Sequence, residues 1–276
     1  MIDSGREKLT DKKFDSPVIS EERFINKLFE RVVAKGITFK NINFSYCIFD
    51  AAYLRGCTFE GCTFIGCRFV NSNLTGSSFN ACIFDYATFE KTYIDNDVLT
   101  LSCPTRENIK LKFARSLRIN YQQLGDAQSA NKAINIELKA SEEHLYKCWM
   151  SRERYYRKKY RGLDHVKAFL EWLSFKALDY IWGNGESALK LFRAVVAVMA
   201  IIALIHVFSY GTPTLVRSYY EASLLSPQIL LGVIKPKEYS SMYLTAIYLI
   251  RLVMFGFFMS IIIKRFNRGQ HRKRKL

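Results

Sequence analysis

The sequence predicts a multidomain protein in which a four-sided parallel β-helix is followed by an α-helical linker and an α-helical transmembrane hairpin. Large apolar residues recur every five positions in the first third of the 276-residue chain. Apolar residues at helical spacing follow, and two long apolar segments occupy the last third. We expect these domains: an N-terminal arm and capping helix at 1–35, the β-helix at 36–103, the linker at 104–186, the membrane domain at 187–266 with a re-entrant or interfacial segment at 213–236, and a basic tail at 267–276.

The N-terminal segment is predicted to cover one end of the β-helix. The end of a β-helix exposes unpaired strand edges, which have to be protected. Residues 20–34 show the signals of a short helix, because Ser20 is a suitable N-cap and Phe24, Leu28 and Val32 recur at a spacing of four. The preceding residues 1–19 are polar and charged, and they contain no apolar stretch typical of a secretory signal.

The repeat of five residues extends from Ile37 to Ile94. Small residues stand two positions before most of the large ones, and neither a helix nor a simple strand produces this period. The large series departs from phenylalanine only at positions twenty residues apart, so four pentapeptides form one coil and three coils stack. The predicted repeat core is Phe39, Phe44, Phe49, Leu54, Phe59, Phe64, Phe69, Leu74, Phe79, Phe84, Phe89 and Ile94.

This pattern resembles that of the pentapeptide-repeat family, whose fold is a right-handed quadrilateral β-helix. Some members of that family resemble duplex DNA and bind topoisomerases, which requires a long rod with a strongly negative surface. Residues 36–105 carry four basic and six acidic groups, so the strongly negative electrostatic field of duplex DNA is absent and nucleic-acid mimicry is not expected. The coils are expected instead to dock a cytoplasmic protein partner. The five cysteines at small positions are interpreted as reduced, buried, small apolar residues rather than metal ligands.

The linker is predicted to contain two helices. Residues 105–122 form the first, Leu124-Gly125-Asp126 is a stop-and-restart signal, and a long second helix runs from Ala127 towards Arg161. The segment Arg152–Arg161 mixes tyrosine with basic residues. It is typical either of a nucleic-acid contact or of a juxtamembrane surface facing anionic lipid, and the spans that follow favour lipid.

Two segments have the length and composition of membrane spans. Residues 194–216 contain no charged side chain, and residues 239–263 contain only Arg251. Seven basic and no acidic residues follow in 264–276. This basic bias places both termini in the cytoplasm and predicts a multi-pass protein of the plasma (inner) membrane of a bacterium.

The candidate pore or gating residues are polar groups and glycines at membrane depth. Arg251 lies midway along the second span, where a charge is costly and marks a pathway or an assembly contact. It is interpreted either as a pore-lining or gating residue, or as half of a structural pair with Glu221 or a backbone carbonyl between subunits. Gly256 is read as a hinge or a packing glycine. The full set of candidates is Arg251, Gly256, Glu221, His206 and Gly232.

A second resemblance concerns the order of the modules. Arg118, Leu124-Gly125-Asp126, Ala130 and Glu137, followed by the step Trp182-Gly183-Asn184-Gly185-Glu186, resemble pentapeptide-repeat proteins that continue into a two-span, ion-channel-like membrane domain. The resemblance implies a pore helix between the spans and a homo-oligomer, a tetramer. At the place of the filter this chain reads Gln228-Ile229-Leu230-Leu231-Gly232, so a potassium filter is degenerate here.

The sequence therefore favours a non-enzyme. The four histidines show no metal or triad spacing, no phosphate-binding loop occurs, and no catalytic residue, cofactor or metal site is predicted. The expected function is an oligomeric channel-like or membrane-permeabilising protein regulated through the repeat domain, with the lipid membrane as a partner. The first alternative is a non-conducting membrane scaffold for a cytoplasmic partner. The second is a stress or phage-defence effector that depolarises the membrane.

Overall fold

The computed structural model describes residues 5–273, and side chains as far as residue 263. The chain divides into two compact units, of which the first extends to Phe169 and the second comprises Leu170–Gly269. The strands are β1 Lys8–Thr10, β2 Val18–Ser20, β3 Leu28–Glu30, β4 Val33–Lys35, β5 Thr38–Lys40, β6 Ile48–Asp50, β7 Tyr53–Arg55, β8 Thr58–Glu60, β9 Arg68–Val70, β10 Ser78–Asn80 and β11 Thr88–Glu90. The helices are α1 Val98–Leu101, α2 Glu107–Gln123, α3 Ala127–Met150, α4 Arg154–Lys159, α5 Leu163–Trp182, α6 Ala188–Tyr210, α7 Val216–Leu231 and α8 Ser241–Lys273.

The strands form a parallel β-helix, as predicted, but it has about four turns instead of the predicted three coils. Its sides are a five-stranded sheet in the order β1-β3-β6-β9-β11, a four-stranded sheet β10-β8-β5-β2 and the pair β4-β7, and single bridges link the coils along the remaining side. The register pairs each residue with the residue twenty positions later, for example Phe39 with Phe59 and Phe59 with Phe79. The coil length of twenty residues is therefore confirmed.

Phenylalanine rings form ladders inside the coils. Within one column, Phe49 stacks on Phe69 with ring centroids 4.9 Å apart, and Phe69 stacks on Phe89 at 5.1 Å. Rings of adjacent columns meet edge-on, as Phe59 and Phe64 do at 5.5 Å. Both arrangements are favoured by the ring quadrupole, so the ladder adds specificity to the burial of apolar area.

The predicted N-terminal capping helix is wrong, because residues 18–35 form β2, β3 and β4 of the β-helix itself. Glu21, Asn26 and Arg31 have positive φ, which recurs at the coil corners and is incompatible with a right-handed helix. The three apolar residues that suggested the helix, Phe24, Leu28 and Val32, are indeed buried, but as parts of a coil. The β-helix begins about one and a half turns earlier than the sequence indicated.

The opposite end of the β-helix is covered by α2. Phe113 of α2 packs on the rings of the last coil, 5.8 Å from Phe84. Asn120 donates to the Thr92 carbonyl and accepts from the Thr92 backbone N–H, both at 2.7 Å. Ser116 Oγ accepts a further backbone N–H at 2.9 Å. These side chains replace the next coil as hydrogen-bond partners of the strand edge.

The two linker helices meet at the predicted turn, and the second of them ends earlier than predicted. Asp126 caps α3 by accepting from the Ser129 backbone N–H at 3.1 Å, as expected of this residue. α3 ends at Met150 instead of continuing towards Arg161. The reason is local, since Ser151 is extended and its hydroxyl accepts from the Glu153 N–H, which offers the backbone an alternative to the helix.

The second unit contains the end of α5 together with α6, α7 and the described part of α8. Its apolar core is formed by Ile202 of α6, by Ile229 and Leu230 of α7, and by Tyr239 and Ile247. α7 includes Pro227 and ends at Gly232, which adopts a left-handed conformation with φ +75°. This core joins the two long apolar helices through the shorter helix between them.

Candidate membrane site around Arg251

Two helices of the second unit are long and apolar enough to cross a bilayer. They are Ala188–Tyr210 and Ser241–Ile263, each of 23 residues. Only 22% of the most apolar window of the first and 11% of that of the second are buried within the protein. Core helices of a soluble protein are mostly buried, so these exposed apolar faces indicate a membrane protein.

Aromatic residues cluster where α6 ends and α8 begins. His206 Nδ1 lies 2.8 Å from the Tyr239 hydroxyl, and the Tyr239 ring stacks on Tyr210 with centroids 4.9 Å apart. Tyr243 continues the cluster, 5.1 Å from Tyr239. Amphipathic rings at the end of an apolar helix are typical of a membrane–water boundary. The polar contact of His206 is therefore local to this end of the helices.

Charged residues instead mark the junction of α5 with α6. Lys190 Nζ pairs with Asp179 at 2.7 Å. The Arg193 guanidinium donates to the Tyr180 carbonyl at 2.8 Å and lies over the Tyr180 ring, 4.3 Å from its centroid. Gly183 permits the tight turn between the helices, since it has φ +65° and a Cβ there would contact Ser187. The predicted Trp-Gly-x-Gly-Glu step thus forms a tight corner at the basic end of α6.

Arg251 is held against the end of α7. Its Nη1 donates to the Leu231 carbonyl at 2.7 Å, and its guanidinium lies over the Tyr248 ring, 4.5 Å from the centroid. A cation at the C-terminal end of a helix is stabilised by the helix dipole and by a free carbonyl. A small cleft of about 180 Å³ surrounds the guanidinium, lined also by Gly232 and Lys235.

Gly232 is the residue that allows this contact. A Cβ on Gly232 would overlap the Arg251 Nη1 atom, and the backbone there is left-handed. The structure thus brings together two of the five candidate residues, Arg251 and Gly232. Neither the resemblance nor the residue spacing predicted the contact with Leu231, because that contact is made by its backbone carbonyl. Tyr248 could have been predicted, since it lies three residues before Arg251 and therefore on the same helix face.

The remaining candidates do not join this site. Within the chain, Glu221 pairs with Arg217 at 2.7 Å and not with Arg251, and a pair of Glu221 with Arg251 between subunits stays a prediction. The pairing is explained by helix geometry, because residues four apart are neighbours on α7. Gly256 has open space where a Cβ would stand, so it packs against no other segment among the described residues.

The described thiols of the first unit are buried except Cys103, which is half-buried, and they form no disulfide among themselves. Burial raises the pKa of Cys47 to about 11 and also raises that of Cys57. Cys57 and Cys62 donate to the Ala34 and Phe39 carbonyls at 3.5 and 3.3 Å. In the part of the chain that the structure describes, no cluster of residues suited to hold a metal ion occurs.

Comparisons with known proteins concern the β-helix. A family model described as the SV2A/B/C luminal domain matches residues 7–100, about a third of the chain. Two trypsin-treated forms of QnrB1, a plasmid-mediated fluoroquinolone resistance protein, are similar to this chain at 20% and 19% identity over 33% of it, with TM-scores of 0.20 and 0.16. The chain spans 62% and 54% of their lengths. Full-length QnrB1 is similar at 14% identity, covering 32% of this chain and 74% of that one, with a TM-score of 0.13. No curated protein sequence matches this chain.

The fold and the two long apolar helices define the class of protein. The chain combines a parallel β-helix of pentapeptide-repeat type with two candidate membrane-spanning helices. The likeness to QnrB1 concerns fold alone, and the assignment of the β-helix rests on the strand pairing described above.

Proposed function

We propose that the chain is an integral membrane protein that assembles into an oligomer with a hydrated, channel-like path, regulated through its β-helix. Both termini lie in the cytoplasm, and the four-turn β-helix docks a cytoplasmic protein. One hairpin is too small to enclose a path, so several copies are required, four in the arrangement that the two-span resemblance implies.

The observation that carries this proposal is the environment of Arg251. It lies ten residues from Ser241 and twelve from Ile263, close to the middle of the candidate span. Among the described residues, its guanidinium has one protein acceptor, the Leu231 carbonyl. A guanidinium has five N–H donors, and placing a charged side chain at the centre of a bilayer costs about 2.5–3.5 kcal/mol or more. Water in a path, or groups of another copy, would satisfy the remaining donors.

The basic end of α6 supports the orientation. Lys190 and Arg193 stand at that end, whereas the opposite end carries the tyrosine cluster around Tyr239. Basic residues concentrate on the cytoplasmic side of membrane proteins. The orientation can be tested with two single-cysteine variants. Thr214→Cys places a thiol between α6 and α7, and Asn80→Cys places one on the coils. An impermeant reagent outside intact cells should label only Thr214→Cys; labelling of Asn80→Cys alone would reverse the orientation and would fit the luminal placement of the matched domain family.

Flux through liposomes tests the conducting function. The full chain should release potassium or chloride, and Arg251→Leu should change the rate or the anion-to-cation permeability ratio. Arg217→Leu is the matched control, since it removes a guanidinium from the same unit that is paired and exposed on α7. Absence of flux under any voltage or salt gradient, together with a monomer in detergent, would refute conduction and leave the membrane scaffold.

A second candidate function that also requires conduction is a stress or phage-defence effector that depolarises the membrane. It is favoured by the mid-span position of Arg251, which would keep a path closed until the contact with Leu231 breaks. Overexpression should then slow growth and collapse the membrane potential, and deletion of residues 239–276 should abolish both effects. Normal growth and potential on overexpression would exclude this role.

A further inference from the structure

An open cleft of about 610 Å³ lies where α3, α4 and α5 meet in the first unit. Much of its lining comes from the segment Arg152–Arg161, which mixes tyrosine with basic residues. Its floor is a small apolar cluster of Cys148, Tyr156 and Ala168, all buried. The floor is tied to the rest of the unit by Lys147, which pairs with Glu107 at the start of α2 and with Glu153, both at 2.8 Å.

The polar groups of the floor have defined roles. The Tyr156 hydroxyl lies 3.0 Å from His144 Nδ1, and burial raises the pKa of Tyr156 to about 12, so the phenol stays neutral. Burial, together with the nearby Lys159 charge, lowers the pKa of His144, which favours neutral imidazole as the acceptor. His165 Nε2 lies 2.6 Å from the Trp149 carbonyl, and because a carbonyl only accepts, Nε2 is the protonated nitrogen. The Tyr156–His144 pair at the floor is therefore uncharged.

The rim of the cleft is strongly basic. Arg152, Arg157 and Arg161 line it, and no acidic residue does. In the part of the chain that the structure describes, Arg161 Nε donates to the Arg157 carbonyl at 3.1 Å, but none of the three guanidiniums is in an ion pair. The acid nearest in sequence to Arg152 and Arg157, Glu153, is already held by Lys147, and Asp164, three residues after Arg161, does not line the cleft. Arginine forks match the geometry of phosphate oxygens, and unpaired arginines around one cleft favour a phosphate ligand.

An apolar stripe begins beside the cleft. Leu163 and Val166 are exposed three residues apart at the start of α5, directly after the cleft residue Gly162. A helix with exposed apolar residues next to basic residues is typical of a helix that lies in the membrane interface. A phosphate group presented at that surface would meet the arginines while the stripe contacts the acyl boundary.

We propose that this cleft binds a phosphate group, carried by an anionic lipid headgroup or by a soluble phosphate ester. The arginines 152, 157 and 161 hold the phosphate oxygens, and the exposed face of α5 favours the lipid source. This site is independent of conduction, so it stands or falls separately from the function proposed above.

Binding to the full chain in uncharged detergent micelles tests the site. The probes are short-chain phosphatidylglycerol, short-chain phosphatidylcholine, glycerol phosphate, inorganic phosphate and a single-stranded oligonucleotide. Phosphatidylglycerol should bind saturably and more tightly than phosphatidylcholine. Arg157→Gln combined with Arg161→Gln should weaken it about tenfold or more, since two charge-assisted contacts to the phosphate are lost.

Two matched variants separate the cleft from general charge. Arg23→Gln combined with Arg55→Gln removes the same charge from exposed positions on the coils and should leave the affinity within about twofold. Arg157→Lys combined with Arg161→Lys keeps the charge but loses the paired N–H donors of the guanidinium, so this variant should bind phosphatidylglycerol more weakly than the wild type does. Unchanged circular dichroism melting confirms that each variant folds.

The arms of the experiment distinguish the sources. Tighter binding of phosphatidylglycerol than of either soluble phosphate, lost in the double Gln variant, supports the lipid headgroup. Tighter binding of glycerol phosphate or inorganic phosphate, lost in the same variant, supports a soluble phosphate ester. Equal loss in the coil control, no effect of the double Gln variant, or displacement by the oligonucleotide at a lower concentration than any phosphate probe would overturn the proposal.

Discussion

The contact of Arg251 with the end of α7 predicts a specific effect of Gly232→Ala. Gly232 has φ +75°, and a Cβ there would occupy the space of the Arg251 Nη1 atom. The left-handed backbone costs a residue with a side chain about 1–2 kcal/mol. Displacing the guanidinium from the Leu231 carbonyl, 2.7 Å away, forfeits a charged hydrogen bond of about 1.5–3 kcal/mol. The free energy of unfolding should therefore fall by about 2.5–5 kcal/mol.

Tryptophan fluorescence during unfolding of the full chain in detergent measures this change. Trp182 stacks on Phe257 with ring centroids 4.2 Å apart, so its emission reports on the second unit. Gly256→Ala is the matched control, because it makes the same chemical change in a helix where a Cβ meets nothing. The control should raise the free energy of unfolding by about 0.5–1 kcal/mol, the difference in helix propensity.

A double-mutant cycle separates the two costs. In the Arg251→Leu background the clash and the hydrogen bond are both gone, so Gly232→Ala should cost only the backbone part, about 1–2 kcal/mol. The coupling between the two positions should then be about 1.5–3 kcal/mol. Equal costs of Gly232→Ala in the two backgrounds would refute the placement of the guanidinium beside Gly232.

Three further predictions concern the first unit, each measured by chemical denaturation of the full chain followed by circular dichroism. Asn120→Ala leaves a buried N–H and a buried carbonyl of the last coil without partners and should cost about 2–4 kcal/mol, whereas Gln123→Ala, which removes one exposed acceptor, should cost less than about 1 kcal/mol. Asp126→Ala should cost about 1 kcal/mol and Asp97→Ala much less, because only Asp126 caps its helix with its side chain. Burial raises the pKa of Cys47 from 9.0 to about 11, so the free energy of unfolding should fall as the pH rises through that interval. Cys47→Ala should reduce the slope of the unfolding free energy against pH by up to about 1.4 kcal/mol per pH unit. A slope that Cys47→Ala leaves unchanged would contradict the burial of this thiol.

The coil geometry could be predicted from sequence because every coil repeats the same environment. A residue and its counterpart twenty positions later occupy the same column, so a change from phenylalanine to Leu54 and Leu74 was enough to count the sides of one turn. The stop-and-restart turn at Asp126 was predictable for a similar reason, since an N-cap acts through atoms three residues away. Features that depend on neighbouring residues or on a strict repeat can therefore be predicted from the sequence.

The first turn was missed because only half of its signal is present. Apolar residues continue at the large positions of the N-terminal segment, at Leu9, Phe14, Ile19, Phe24 and Phe29, but Ala34 interrupts the series just before Phe39. The small positions there hold exposed residues instead, namely Glu7, Lys12, Pro17 and Glu22. A terminal coil has no neighbour on its outer side, so this position need not be small or apolar. The repeat was therefore predicted to begin only after Ala34, which made the predicted β-helix too short.

The site around Arg251 could not be predicted in full because its acceptor is a backbone carbonyl. A side-chain partner such as Glu221 can be proposed from residue types, whereas the Leu231 carbonyl becomes available only because α7 ends there. The end of α7 in turn depends on the left-handed Gly232. One contact therefore satisfies the helix end and orients the charge. Because it uses one of five donors, the proposed assembly would have to provide partners for the rest of the guanidinium at membrane depth. A scaffold anchored only in lipid would be more stable with an apolar residue at this position, whereas in the proposed assembly water in the path or groups of another copy would bind the free donors of the arginine.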